Sequence, residues 1–241
     1  MAVRDHGAAR KRAETVKAST KSRTDPQHRE VVIPSDGVAL PGNLALPATP
    51  IGAAVFAHGS GSSRLSPRNL QVAEVLGAAG LATLLFDLLT EDEALDRANV
   101  FDIPLLARRL RAATRWLRTQ AETAALPAGY FGASTGAAAA LWAASEAGAD
   151  VRAIVSRGGR PDLAAPRLSL VPAPTLLIVG GADEIVLELN RRALTDLRCE
   201  SELAVVSGAT HLFEESGALE RVAELATAWF VRHLPRPVAA A

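Results

Sequence analysis

A chain of 241 residues fits one large domain, or at most two small ones, and can bury a substantial core. Its 26 basic residues balance 26 acidic ones, so no global field recruits nucleic acid or an anionic membrane. No apolar run is long enough to span a bilayer, and the single cysteine, Cys199, excludes an internal disulfide and points to a reducing compartment; a soluble, cytoplasmic protein is expected.

The neutrality is uneven. Met1 to Arg29 holds eight basic residues against three acids, a net charge of +5 that leaves −5 for the remainder. Apart from Val3 and Val16 this stretch has almost nothing to bury, so residues 1–29 read as a disordered basic tail and residues 30–241 as the folded domain. From Glu30 short apolar runs alternate with Pro and Gly. Glu30–Ile33 and Val38–Leu46 read as two strands joined by Pro34-Ser35-Asp36-Gly37, where Asp-Gly signals a hairpin.

Ala53–Ala57 is a third strand, apolar throughout, running into the small-residue loop His58-Gly59-Ser60-Gly61-Ser62-Ser63. A helix follows from Pro67 to Gly80, then a strand over Leu81–Phe86. An acidic, irregular stretch from Asp87 to Asp102 precedes a helix with Pro104 near its start. Its arginines (Arg108, Arg109, Arg111, Arg115 and Arg118) read mostly as a solvated face. Strands at Leu126–Phe131, Val151–Ser156, Thr175–Val179 and Leu203–Val206 alternate with helices around Ile185–Leu197 and Leu219–Leu234. Such alternation predicts one mostly parallel, twisted sheet with helices on both faces. Ligands of such sheets sit at the carboxyl ends of the strands.

Gly132-Ala133-Ser134-Thr135-Gly136, followed by the alanine-rich run Ala137–Ala144, has the G-x-S-x-G pattern of a nucleophile elbow. A sharp turn there needs residues without side chains two before and two after the serine. A serine hydroxyl needs a base, and the base needs an orienting carboxylate. Of five histidines, His6 and His28 lie in the tail and His233 near the end of the last helix; His58 and His211 directly follow strands. His211, after the last strand, is the expected base, and His58 is expected to turn into its own loop. Asp183, in Gly180-Gly181-Ala182-Asp183, follows a strand between serine and histidine and fits the acid, though it fits a helix N-cap equally well; Glu184 and Asp162 are fallback acids. Backbone N–H groups of Thr135 and Ser60 are the candidate oxyanion donors.

Together Phe56-Ala57-His58-Gly59-Ser60-Gly61, the elbow, Gly180-Gly181-Ala182-Asp183 and Gly208-Ala209-Thr210-His211 resemble the α/β-hydrolase superfamily, specifically its dienelactone-hydrolase-like branch. The body is similar to the hydrolase part of bacterial proteins in which such a domain follows a phosphoribosyltransferase domain. The resemblance implies an α/β-hydrolase fold, here with no large lid insertion before Pro174, and a Ser134–His211–Asp183 triad. Dienelactone hydrolases carry a cysteine nucleophile where this chain has Ser134, so their substrate is not carried over.

The expected activity is cofactor-independent hydrolysis of a small carboxylic ester or thioester through an acyl-enzyme, with acyl transfer or a non-catalytic binding role as alternatives. Arg157, in Ser156-Arg157-Gly158-Gly159-Arg160-Pro161-Asp162, either binds an anionic part of the substrate or, with Arg160, holds its loop by pairing with an acid such as Asp162. No metal, nucleotide, nucleic-acid or membrane partner is indicated: Cys199 has no nearby histidine, and Walker and G-x-G-x-x-G patterns are missing.

Overall fold

A computed structural model describes residues 27–234. The basic segment up to residue 26 lies outside the described residues. Strand β1 (Gln27–Ser35) starts ahead of the expected boundary at Glu30, because Gln27, His28 and Arg29 pair with Leu46, Ala45 and Leu44 of β2 (Val38–Leu46). Asp36 (φ 46°) and Gly37 (φ 82°) both turn left-handed, which matches the hairpin turn to the twist of its strands.

After the hairpin come β3 (Gly52–Ala57), α1 (Pro67–Ala78), β4 (Leu81–Phe86), α2 (Glu91–Leu95), α3 (Arg97–Val100), α4 (Ile103–Thr119), β5 (Ala128–Ala133), α5 (Thr135–Ser145) and β6 (Ala153–Arg157). A 3₁₀ segment over Pro161–Leu170 leads to β7 (Thr175–Gly180), α6 (Glu184–Asp196), β8 (Ser201–Val206) and α7 (Ala218–His233). The eight strands lie in the order β1-β2-β4-β3-β5-β6-β7-β8. Only β2 runs antiparallel to its neighbours, and the pairs from β4 through β8 are parallel.

Strands β3 to β7 are buried along their whole length, as their unbroken apolar composition requires once both sheet faces are covered. One face packs against α4, α5 and α6 through Leu106, Leu110, Leu117 and the alanines of α5. The other packs against α1 and α7, where Val72, Leu76, Val222 and Phe230 meet Phe56 and Phe131, whose rings lie 4.8 Å apart. Among the described residues no helix is long and apolar enough to cross a membrane.

Two local features differ from the sequence expectation. Within the acidic stretch, Thr90 and Glu93 form a reciprocal capping box that starts α2. Arg109, read as part of a solvated face, is 3 % exposed: it donates to the Ser35 carbonyl of the β1–β2 turn and to Glu93 Oε1 at 2.7 Å, with Asp36 Oδ2 at 3.9 Å. One cation thus ties the hairpin turn, α2 and α4 together. Removing it strands polar groups in a place water reaches poorly. Arg109→Ala is expected to cost about 2–4 kcal/mol of unfolding free energy in denaturant titration; Arg109→Lys is expected to recover only part, because one ammonium cannot span the same acceptors.

Candidate active site

β5 ends at Ala133 and α5 begins at Thr135, so Ser134 alone makes the turn, at φ 50° and ψ −117°. That conformation costs a non-glycine residue about 1–3 kcal/mol. Its neighbours hold it there: the Ser134 N–H donates to the Arg157 carbonyl (3.2 Å), and the Ser134 carbonyl accepts from Arg160 N–H (3.1 Å). The flanking glycines are required by close approach. A Cβ on Gly132 would lie 2.4 Å from Ala137 Cα, and one on Gly136 would lie 2.1 Å from the Ala57 oxygen.

Asp183 leaves β7 and immediately precedes α6, yet its side chain makes no capping bond. Its Oδ2 instead lies 2.6 Å from Nδ1 of His211, which sits in the loop after β8. With Nδ1 donating to the carboxylate, Nε2 is the ring nitrogen left to accept a proton. A Cβ on Gly158 would lie 3.5 Å from both His211 Nδ1 and Cε1, so the ring rests on the turn whose preceding carbonyl, that of Arg157, holds the Ser134 N–H. The exit of β6 therefore brings the elbow and the histidine to one place. Of the fallback acids, Asp162 is bound by both Nε and Nη2 of Arg160 (2.8 and 2.7 Å), and Glu184 is exposed in the first turn of α6.

Residues outside the sequence motifs hold the histidine loop. Thr210 donates through N–H (3.1 Å) and Oγ1 (2.6 Å) to Glu215 Oε1, and the Thr210 hydroxyl bond is the main cause holding the Glu215 carboxyl below its usual range. Phe213 is buried with φ 56°. A threonine five residues before a glutamate is too weak a signal to have singled out this clasp.

On the opposite side, the loop after β3 packs on the start of α5. The Ser60 N–H donates to Thr135 Oγ1 at 2.9 Å, so a developing oxyanion would have to take this donor from the threonine hydroxyl. His58 does turn into its loop: Leu88 N–H donates to Nε2 (3.0 Å), which puts the proton on Nδ1, facing the Gly59 carbonyl at 3.0 Å. Burial, partly opposed by the Gly59 carbonyl and Asp87, pushes the His58 pKa below its ordinary value. A cavity of about 680 Å³ opens beside Thr135 and Ser60, with Leu65, Leu88, Leu89 and Leu106 in its apolar wall. A second, of about 860 Å³, lies between the β1–β2 hairpin and α1 and contains none of the candidate residues. No group of three or more His, Cys, Asp or Glu among the described residues could hold a metal ion.

The antiparallel β2 beside a parallel run, the strained serine between β5 and α5, and the Asp183–His211 pair at the exits of β7 and β8 are the arrangement of an α/β-hydrolase fold. The crystal structure of a dienelactone hydrolase from Anabaena variabilis superposes with a TM-score of 0.84 and 54% identity, over 87% of this chain and 99% of that one. This chain belongs to the dienelactone hydrolase family and is a hydrolase of that fold. Est1E from Butyrivibrio proteoclasticus (TM-score 0.72, 16% identity, 84% of this chain and 98% of that one) and an esterase domain from Rhodothermus marinus (0.70, 23%, 86% and 99%) share the fold. A Mycobacterium tuberculosis protein provisionally named a phosphoribosyl transferase is 61% identical over 215 residues, which is 88% of this chain and 48% of that protein, so the chain spans about half the length of the curated relatives it matches. No family model matches the sequence.

Two outcomes test this geometry. Gly136→Ala drives a methyl into the Ala57 and His58 carbonyls and should leave no soluble, cooperatively unfolding protein, whereas Gly77→Ala, whose Cβ meets nothing within 4 Å, should be tolerated. Because the fold favours neutral His58, its contribution is full above the unfolded value of 6.5 and is lost as pH falls from there to the lower folded pKa. Stability measured against pH should therefore drop below about pH 6.5, and His58→Gln should flatten that drop.

Proposed function

We propose that the chain is a serine esterase that hydrolyses a small carboxylic ester or thioester through an acyl-enzyme. The observation that carries this reading is the 2.6 Å contact between Asp183 Oδ2 and His211 Nδ1, at the same sheet edge as a serine held at φ 50°. In the proposed cycle His211 Nε2 takes the Ser134 hydroxyl proton as Oγ attacks the ester carbonyl. Asp183 keeps the ring in the required tautomer and offsets the imidazolium charge. The oxyanion is received by the Thr135 N–H, at the positive end of α5, and by the Ser60 N–H once the Thr135 hydroxyl gives it up. The imidazolium then protonates the leaving alcohol, and water, deprotonated by the same nitrogen, releases the acid.

The Anabaena variabilis dienelactone hydrolase supports hydrolysis of an ester bond as the reaction class. The strained Ser134 at the same sheet edge as the Asp183–His211 pair favours a catalytic role over a silent binding role, since a binding protein has no need of all three groups in register. The reading includes a small-molecule substrate, no cofactor, no nucleic-acid or membrane partner, and a cytoplasmic setting suited to the lone Cys199 thiol, which burial makes harder to ionise.

With aryl esters of short acids, Ser134→Ala is expected to lower kcat/KM by at least about 10³-fold, and Asp183→Asn by about 10³–10⁴-fold, because the asparagine favours the wrong histidine tautomer. Steady-state kinetics check both. Undiminished turnover in Ser134→Ala would remove Ser134 as nucleophile.

A further inference from the structure

We propose that Arg157 and Arg68 form a binding site for a phosphate-type oxyanion at the margin of the candidate active site. Arg157 ends β6 and stands opposite Ala133 in the β5–β6 register, one strand from the elbow. It is 8 % exposed, and its side chain has no hydrogen bond or ion pair among the described residues, with Nε fully buried and unpartnered. The guanidinium faces the Phe213 ring, 5.8 Å from its centroid, and that ring belongs to the loop carrying His211.

A buried guanidinium without a carboxylate is rare, because desolvation removes hydration that nothing returns. Here the neighbouring charge is another cation: Arg157 lies over the Phe213 ring, and Arg68 is bonded to Glu214, the next residue of the same loop. Burial first, and Arg68 second, push the Arg157 pKa down to about 10. Arg68 comes from the first turn of α1, which carries no acidic residue, and its own Nε is buried without a partner. Its one carboxylate is the exposed Glu214 at 3.1 Å. Two guanidinium groups, one from the first turn of α1 and one from the end of β6, opposed by one exchangeable carboxylate, match a doubly charged tetrahedral anion better than a singly charged one. Phosphate, free or carried by a phosphorylated molecule, has that charge and the acceptors for both forks. Arg160 is not available for this role, since Asp162 already occupies it.

Thermal unfolding in phosphate, against acetate and chloride at matched ionic strength, tests the site without reference to turnover. The parent is expected to gain about 2–4 °C in phosphate alone. Arg157→Met should lose the gain while remaining folded, as near-isosteric replacement of an unpaired buried cation allows; Arg157→Lys should keep part of it, and Glu214→Gln, by freeing Arg68, should enlarge it. A free anion is the ligand if phosphate acts in this way while the kcat/KM ratio of a phosphate-bearing ester to a neutral ester is the same in parent and Arg157→Met. A group on the substrate is the ligand if that ratio falls tenfold or more in Arg157→Met, an arm that rests on the esterase reading. The proposal is overturned if phosphate gives the parent no gain over chloride, if acetate stabilises equally, or if Arg157→Met keeps the full gain. The Ser134→Ala kinetics fail or succeed separately from all of these.

Discussion

The contact between the first turn of α5 and the end of β3 sets the geometry of the whole upper edge of the sheet. Gly136 lies so close to the Ala57 and His58 carbonyls that not even a methyl group fits between helix and strand. That approach forces the chain between Ala133 and Thr135 into a single-residue turn, and Ser134 takes the strained conformation as a result. The cost, about 1–3 kcal/mol, is offset by α5 itself, whose alanines are slender enough to sink the helix between β5 and its neighbours with almost no exposed surface. The same closeness brings the Ser60 N–H onto the Thr135 hydroxyl and ties the elbow to the β6 exit through Arg157 and Arg160.

Charge is handled in contrasting ways around this edge. His58 is partly buried and takes one bond at each nitrogen, which makes it a strut between the β3 and β4 exits. His211 is more accessible and faces the Asp183 carboxylate through Nδ1, which leaves Nε2 free of that contact. The same side-chain type thus serves as a fixed spacer on one strand and as a candidate proton carrier on another. Arg109 and Arg157 make a parallel contrast among the cations: both are buried, but the first meets a carbonyl and two carboxylates while the second meets an aromatic face and a like charge.

Much of this was legible in the residues. Strands β3 to β7 are uninterrupted apolar runs because helices cover them twice, and Asp36-Gly37 announces the only hairpin turn in the described sheet. The elbow turn was legible because its spacing is steric, and the pairing of Asp183 with His211 because the two follow β7 and β8 in the order the resemblance implies. What the sequence leaves open is side-chain direction. Asp183 could cap α6 or reach His211, and only the fold shows that it makes no cap bond. Arg157 and Arg160 stand three residues apart with equal claims on Asp162, but Arg157 is still on β6 while Arg160 lies past the left-handed turn at Gly158, and just Arg157 comes to the Phe213 ring of the His211 loop. Arg109 follows the same logic: its partners Ser35 and Glu93 lie on other elements, so helical periodicity had no means of showing why a charge should be buried there. The Thr90–Glu93 capping box, by contrast, is a local pattern that the acidic composition of its stretch obscured.

The central claim, that Ser134 is a nucleophile activated by His211 and Asp183, is tested most directly by mapping the adduct of a fluorophosphonate probe by peptide mass spectrometry. The account predicts a single phosphonyl group on the peptide containing Ser134, absent in Ser134→Ala and formed much more slowly in His211→Gln. Labelling of a different serine, or equal labelling of parent and Ser134→Ala, would contradict it.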